Sequence, residues 1–142
     1  MTTVRQLLDG KGHRVWSIAP DASVFAAIQE MAQREVGALV VMEHDALVGI
    51  VSERDYARKV ILRGHSSHDR RVADIMTKDV VAAGPGDSVE RCMAVMTERR
   101  IRHLPVVDEG RTIGMISIGD LVRTVIAEQQ FVIAQLEHYV TQ

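Results

Sequence analysis

Two short stretches hold residues whose types and spacing could do chemistry. Ser52-Glu53-Arg54-Asp55 follows the apolar run Gly49-Ile50-Val51, and Ser117-Ile118-Gly119-Asp120 follows Gly114-Met115-Ile116. A serine and an aspartate three residues apart at a helix start can serve a nucleotide. The carboxylate accepts from the vicinal hydroxyls of a ribose, while the Ser hydroxyl and the free amides of the first turn donate to a phosphate. Gly49 and Gly114 let the backbone come close to a ligand. The same spacing is close to that of a capping box, which fixes a helix start with no ligand at all. One copy alone reads more readily as a cap, and capping does not exclude binding.

The elements that position these motifs repeat. With an offset of 65, residues 15–61 align with 80–126 without a gap, and 14 of the 47 aligned pairs are identical. Each unit opens with a short strand, Val15 to Ile18 or Val80 to Ala83, that ends at a proline turn. Ser23 and Ser88 stand at N-cap positions. The helices behind them place Val24, Ala27, Ile28 and Met31, or Val89, Cys92, Met93 and Met96, on one face. Two apolar runs follow in each unit, Ala38–Met42 with Leu47–Val51 and Leu104–Val107 with Ile113–Ile116. Runs apolar at nearly every position predict strands buried on both faces. A second helix is expected from about Glu53 and from about Gly119. The unit is β-α-β-β-α, stated twice. The boundaries read as a first repeat over 8–64, a polar linker over 65–77 with a helical turn near Val72–Met76, a second repeat over 78–127 and a helical extension over 128–142.

Two repeats closing in Gly-apolar-apolar-Ser-x-x-Asp resemble a tandem pair of CBS domains, the cystathionine β-synthase type of module. Arg102-His103-Leu104-Pro105-Val106-Val107-Asp108 resembles the strand that enters the family's central sheet, and Asp74-Ile75-Met76-Thr77 is similar to a common lead-in. The resemblance covers roughly residues 5–127. It implies an α/β (α+β) fold of two repeats about a pseudo-twofold axis, here with an extended C-terminal helix. It also implies adenosine-containing ligands (AMP, ADP, ATP, sometimes NAD or S-adenosylmethionine) in clefts between the repeats. Together with the doubled motif, it shifts the reading of Ser-x-x-Asp from cap toward ligand.

Carried over by position, Ser52 and Asp55 are expected to share one cleft with Arg102, His103 and Pro105. Ser117 and Asp120 are expected to share the other with Val36, Gly37 and Ala38, with Arg54 within reach. The units differ where a phosphate would be gripped, so two inequivalent sites are expected, the Asp55 cleft being the stronger anion binder. The strands at Val15-Trp16 and Val80-Val81 are the expected walls for adenine. Lys11, His13 and Lys78 could add charge near a phosphate tail, although each reads more readily as a plain surface residue. Trp16 is expected in a core or interface rather than against a base.

Other constellations carry less. His65, His68 and Asp69 lie in a polar stretch without a fourth metal ligand nearby. Cys92 falls on an apolar helix face and reads as a small buried hydrophobe. No nucleophile–base spacing, Walker loop or dinucleotide fingerprint is visible, so catalysis is not expected and no cofactor is required. With 17 Lys plus Arg against 19 Asp plus Glu, the net charge is −2, and capture of nucleic acid is not expected. No apolar run reaches the roughly 20 residues of a membrane helix, and the start lacks the apolar core of a secretion signal. A cytoplasmic protein is expected.

The final helix is expected to run to about Tyr139. Val122, Ile126, Gln129, Ile133, Leu136 and Val140 recur in steps of four and three, which is a coiled-coil seam with one polar position. A homodimer is expected through this helix, with an ordinary amphipathic helix packed on its own domain as the alternative. The functional expectation is a regulatory module that binds an adenine nucleotide, reports energy or redox state, and acts in trans on an unidentified protein effector. The alternative is a structural or interaction module with vestigial clefts.

Overall fold

The computed structural model describes residues 2–141. In chain order the elements are α1 (Val4–Lys11), β1 (Ser17–Ile18), α2 (Val24–Arg34), β2 (Ala38–Glu43), β3 (Ala46–Ser52) and α3 (Glu53–Tyr56). After a π-helical turn over Ala57–Ile61 come α4 (Val72–Ile75), α5 (Val89–Arg99), β4 (His103–Asp108), β5 (Arg111–Ser117) and α6 (Ile118–Thr141). They form two compact units. The N-terminal unit runs from Arg14 to Val81; the C-terminal unit joins the residues up to His13 to those from Ala82 onward.

In the N-terminal unit the Ser23 hydroxyl accepts from the Ala26 amide at 3.0 Å and starts α2. Val24, Ala27 and Met31 on its inner face are buried, and Glu35 ends it in the left-handed region at φ 56°. The sheet order is β1-β2-β3, with β1 parallel and β3 antiparallel to β2. His44 and Asp45 close the β2–β3 hairpin with φ of 51° and 64°, the two positive values a two-residue type I′ turn needs. The core gathers Leu39, Val41, Val51 and Val60 with the α2 face. The C-terminal unit repeats the plan. Ser88 caps α5, Val89, Cys92 and Met96 are buried, Arg100 ends the helix at φ 56°, and β4 pairs antiparallel with β5.

Both opening strands are shorter than the sequence suggests. Only Ser17–Ile18 pair with β2, and of the Val80–Ala83 stretch only Ala83 bridges, to Val106. Pro20 and Pro85 lie just beyond, and a residue without an N–H cannot extend a ladder. Nor are all four inner strands buried on both faces. Residues 38–41 and 104–106 are continuously buried, but β3 and β5 alternate, with Gly49, Val51, Gly114 and Ile116 buried between half-buried neighbours.

The least expected feature is where the short lead-in helices pack. α4, in the stretch read as linker, buries Val72 and Ile75 in the N-terminal unit, and Arg71 bridges Ser23. α1 completes the C-terminal unit in the same way: Val4, Leu7 and Leu8 are buried and Thr3 bridges Ser88. Each lead-in helix therefore packs on the repeat it does not precede. The two motif glycines make room for them. A Cβ on Gly49 would lie 2.7 Å from Met76 Sδ, and one on Gly114 would lie 2.7 Å from Leu8 Cδ2. The sequence does announce α1, ahead of the first repeat: Thr3 and Gln6 form a reciprocal capping box.

Candidate functional site

Both Ser-x-x-Asp motifs sit where an edge strand turns into a helix, and both are closed capping boxes. The Asp55 amide donates to Ser52 Oγ at 3.2 Å, and the Ser52 amide and hydroxyl donate to Asp55 Oδ2 at 3.0 and 3.1 Å. The Asp120 amide donates to Ser117 Oγ at 3.2 Å, and the Ser117 amide returns to Asp120 Oδ2 at 2.8 Å. The loop before the inner strand ties down each helix start: the Glu53 amide donates to Gly37 O at 3.0 Å, and the Ile118 amide to Arg102 O at 2.9 Å.

Each carboxylate also holds a lysine. Lys59 Nζ lies 3.1 Å from Asp55 Oδ1 and donates to Ile75 O at 2.8 Å. Lys11 Nζ lies 2.6 Å from Asp120 Oδ2 and donates to Met115 O, also at 2.6 Å. The chemistry matches, but the cations come from different places. Lys59 is four residues along from its acid, whereas Lys11 is the last residue of α1. Asp120 has a second cation, with Arg123 Nη2 donating to Oδ1 at 2.7 Å. Burial pulls the Asp120 carboxyl upward, but the hydrogen bonds from Lys11 and Ser117 and the Lys11 charge outweigh it and hold it below the ordinary aspartate range. Asp120 is the one buried charged residue among those described, its side chain 9% exposed.

The remaining candidates fall beside these motifs, unit by unit. In the N-terminal unit Val36, Gly37 and buried Ala38 lead into β2, whose Ala38 is in register with Ser52. Arg54 is half-buried on the first turn of α3. In the C-terminal unit Arg102 is exposed, half-buried His103 is in register with Ser117, and buried Pro105 accepts from the Ala83 amide at 2.9 Å. Val15 and Val80 are half-buried, and Lys78 is exposed in a bend. His13 contacts Asp9 at 2.9 Å rather than the motif. Trp16 is half-buried against the core, with the Arg34 guanidinium 3.9 Å and that of Arg14 5.2 Å from its ring centroid. Two cations thus occupy it.

Lys59 and Arg123, which contact the two motif aspartates, are the candidate-site residues that sequence reading missed. The signal was available, since a cation three or four residues after an aspartate on a helix lies on the same face. Alongside Asp120 a groove of about 850 Å³ opens between α1 and α6, lined by Gln6, Lys11, Arg123, Glu128 and Phe131 among others. The N-terminal segment is also tied to its far end, because the Thr2 amide donates to Glu128 Oε1 at 2.9 Å. Away from the motifs, His68 stacks on Phe25 with ring centroids 4.2 Å apart. Cys92 is buried, and burial first and then Asp87 push its thiol up to about 11. No helix among the described residues is long and apolar enough to cross a membrane.

Comparison with known proteins places this geometry. A family model described as the CBS domain matches residues 12–62 and 72–127. The chain is similar to a mitochondrial CBS domain-containing protein of Arabidopsis thaliana, 41% identical over 149 residues, spanning 98% of this chain and 72% of that one. It is similar in structure to a protein with CBS domains from Burkholderia ambifaria, with a TM-score of 0.87 and 50% identity over 90% of this chain and 96% of that one. Inosine-5'-monophosphate dehydrogenase of Nitrosopumilus maritimus is 38% identical over 108 residues, 75% of this chain but only 21% of that enzyme.

Proposed function

The chain belongs to the CBS-domain family, with two copies of the module, and from that premise we propose that it is a regulatory module for an adenine nucleotide. AMP, ADP, ATP and NAD are the ligands proposed, and the ligated homodimer passes its state to a protein effector without a catalytic step of its own. The proposed compartment is the cytoplasm, although the Arabidopsis relative is mitochondrial.

The observation that carries the reading is the pairing of an acid with a lysine at both helix starts. A ribose diol needs an acceptor, and a phosphate needs a cation and free amides. An ionised carboxylate offers about four lone-pair positions, and Asp55 and Asp120 each already receive three hydrogen bonds or ion-pair contacts. A diol needs two, so one protein donor must yield. The lysine is suited to do so, since each already has a backbone carbonyl as a second partner. Lys11 and Lys59 then turn toward the phosphate while Asp120 and Asp55 take the ribose. Arg123 adds to the anion grip beside Asp120, and Arg54, Arg102 and His103 add to it elsewhere. Val36, Gly37, Ala38, Pro105, Val15 and Val80 contribute the apolar and backbone surface.

The closed capping boxes favour one rival, a structural module whose motifs only start helices. Thermal denaturation against AMP, ADP, ATP, NAD and NADH separates the two. A true ligand at about 100 times its Kd adds roughly 2.7 kcal/mol. At about 2–4 °C per kcal/mol for a chain of this size, that is a rise of several degrees. If no nucleotide raises the melting temperature, the rival stands.

A further inference from the structure

From Gln129 onward every described residue of α6 is exposed. What it exposes is apolar. Ile126, Ile133, Leu136 and Val140 are 48, 53, 59 and 79% exposed, and Val122 begins the same line at 40%. Together with Gln129 they form one seam of about 27 Å, and a helix in water does not keep such a seam without a partner. Phe131 lies on the opposite side, in the groove against α1; no seam residue lines that groove, and only Arg123 and Val132, at the seam's two flanks, reach its rim.

We propose that this seam pairs antiparallel with the same seam of a second copy. The residues flanking it select that occupant. One flank carries Arg123, Gln130 and Glu137 at intervals of seven; the other carries Val125, Val132 and Tyr139. In an antiparallel pair centred near Gln130 and Phe131, Val122 layers with Val140, Ile126 with Leu136, and Gln129 with Ile133. Arg123 then faces Glu137 of the second copy, twice over by symmetry, and Gln130 faces its own counterpart. The apolar flank closes on itself, Val132 on Val132 and Val125 on Tyr139. A parallel pair sets Val132 beside Glu137 and matches no opposite charges. Flanking charges of this kind choose partner and direction in coiled coils. Arg123 reaches outward as required, with its side chain 74% exposed even while it holds Asp120.

This inference deepens the homodimer proposed above, and its test stands apart from the ligand. Sedimentation equilibrium of the full chain is expected to show a dimer, and Ile133→Glu with Leu136→Glu to weaken it by about 100-fold or more. Both positions are half-exposed in the single chain, so the variant keeps its helical circular dichroism and any nucleotide-induced rise in melting temperature. That retention separates loss of the interface from failure of the nucleotide reading. Gln130→Cys treated with a short bismaleimide reports direction, because only the antiparallel pair brings the two introduced thiols to the same side. Buried Cys92 does not compete. A monomeric wild type, a double-glutamate variant that stays dimeric, or a dimeric Gln130→Cys variant that fails to cross-link would each overturn the proposal.

Discussion

Replacing Asp120 by alanine tests whether the acid–lysine pair is a structural clamp as well as a ligand site. Two losses can be sized from the geometry. The capping box opens, leaving the Ser117 amide without its acceptor, at about 1 kcal/mol. The ion pair with Lys11 is also lost. At 2.6 Å it is short, but the Lys11 side chain is 39% exposed, so solvent screening reduces its worth to about 1 kcal/mol. Together these give about 2 kcal/mol, to which the contact from Arg123 adds little because that side chain is 74% exposed, or a melting temperature lower by roughly 4–8 °C. Lys11→Met keeps the aliphatic stem and loses the ion pair together with the hydrogen bond to Met115 O, at about 1–2 kcal/mol. Because the two changes remove one shared interaction, the double variant is expected to cost about 1 kcal/mol less than the sum of the singles. Urea denaturation of the four proteins without nucleotide measures this. Strict additivity would show that Lys11 and Asp120 do not act as a pair in solution, and the clamp would have to be abandoned.

Two further outcomes follow from the same geometry. Gly114→Ala drives a Cβ into buried Leu8, 2.7 and 2.8 Å from its two methyls, and is expected to destabilise by about 1–3 kcal/mol; Leu8→Ala in the same chain should recover part of that loss, read as a positive coupling in thermal melts. Asp120 has its carboxyl held below the ordinary aspartate range, so its contribution is complete above about pH 4 and fades as pH falls through its folded value; the gap in urea midpoint between wild type and Asp120→Ala should therefore narrow in acid.

The doubled strand–helix pattern was legible because local rules and burial agreed at Ser23, Val24, Met31 and Leu39 and again at their counterparts 65 residues on. The place of α1 was not. Its capping box is local information, but which repeat its apolar face covers depends on contacts some hundred residues away, such as Leu8 against Gly114. The motif aspartates could be found by repetition alone. Their neighbours divided by distance: Lys59 and Arg123 were readable from helical spacing, whereas the contact between Lys11 and Asp120 was not, since it spans 109 residues. The polar stretch 65–77 reads as a linker with a helical turn near Val72–Met76, and what that reading leaves out is where the turn packs. Its composition is that of a loop, yet Val72 and Ile75 are enough to bury α4 in the N-terminal unit.

That difference in distance has a physical consequence for two otherwise matching motifs. Asp55 and Lys59 lie four residues apart along one stretch of chain, so drawing the lysine toward a phosphate would disturb that turn and, through its bond to Ile75 O, the end of the four-residue α4. Asp120 instead holds the end of α1, a separate segment whose other end is tied to α6 through Thr2 and Glu128. Moving Lys11 off Asp120 therefore loosens one of the fastenings of an entire helix, the one whose Leu8 sits over Gly114. A ligand can shift a conformation only by the difference in its free energy of interaction with the two states. At Asp55 that difference would act on one turn and the end of α4; at Asp120 it would act on α1, and through Arg123 on the flank of α6 that the proposed antiparallel pairing uses. Of the two proposed ligand sites, the second is the one whose own contacts reach the face proposed for assembly.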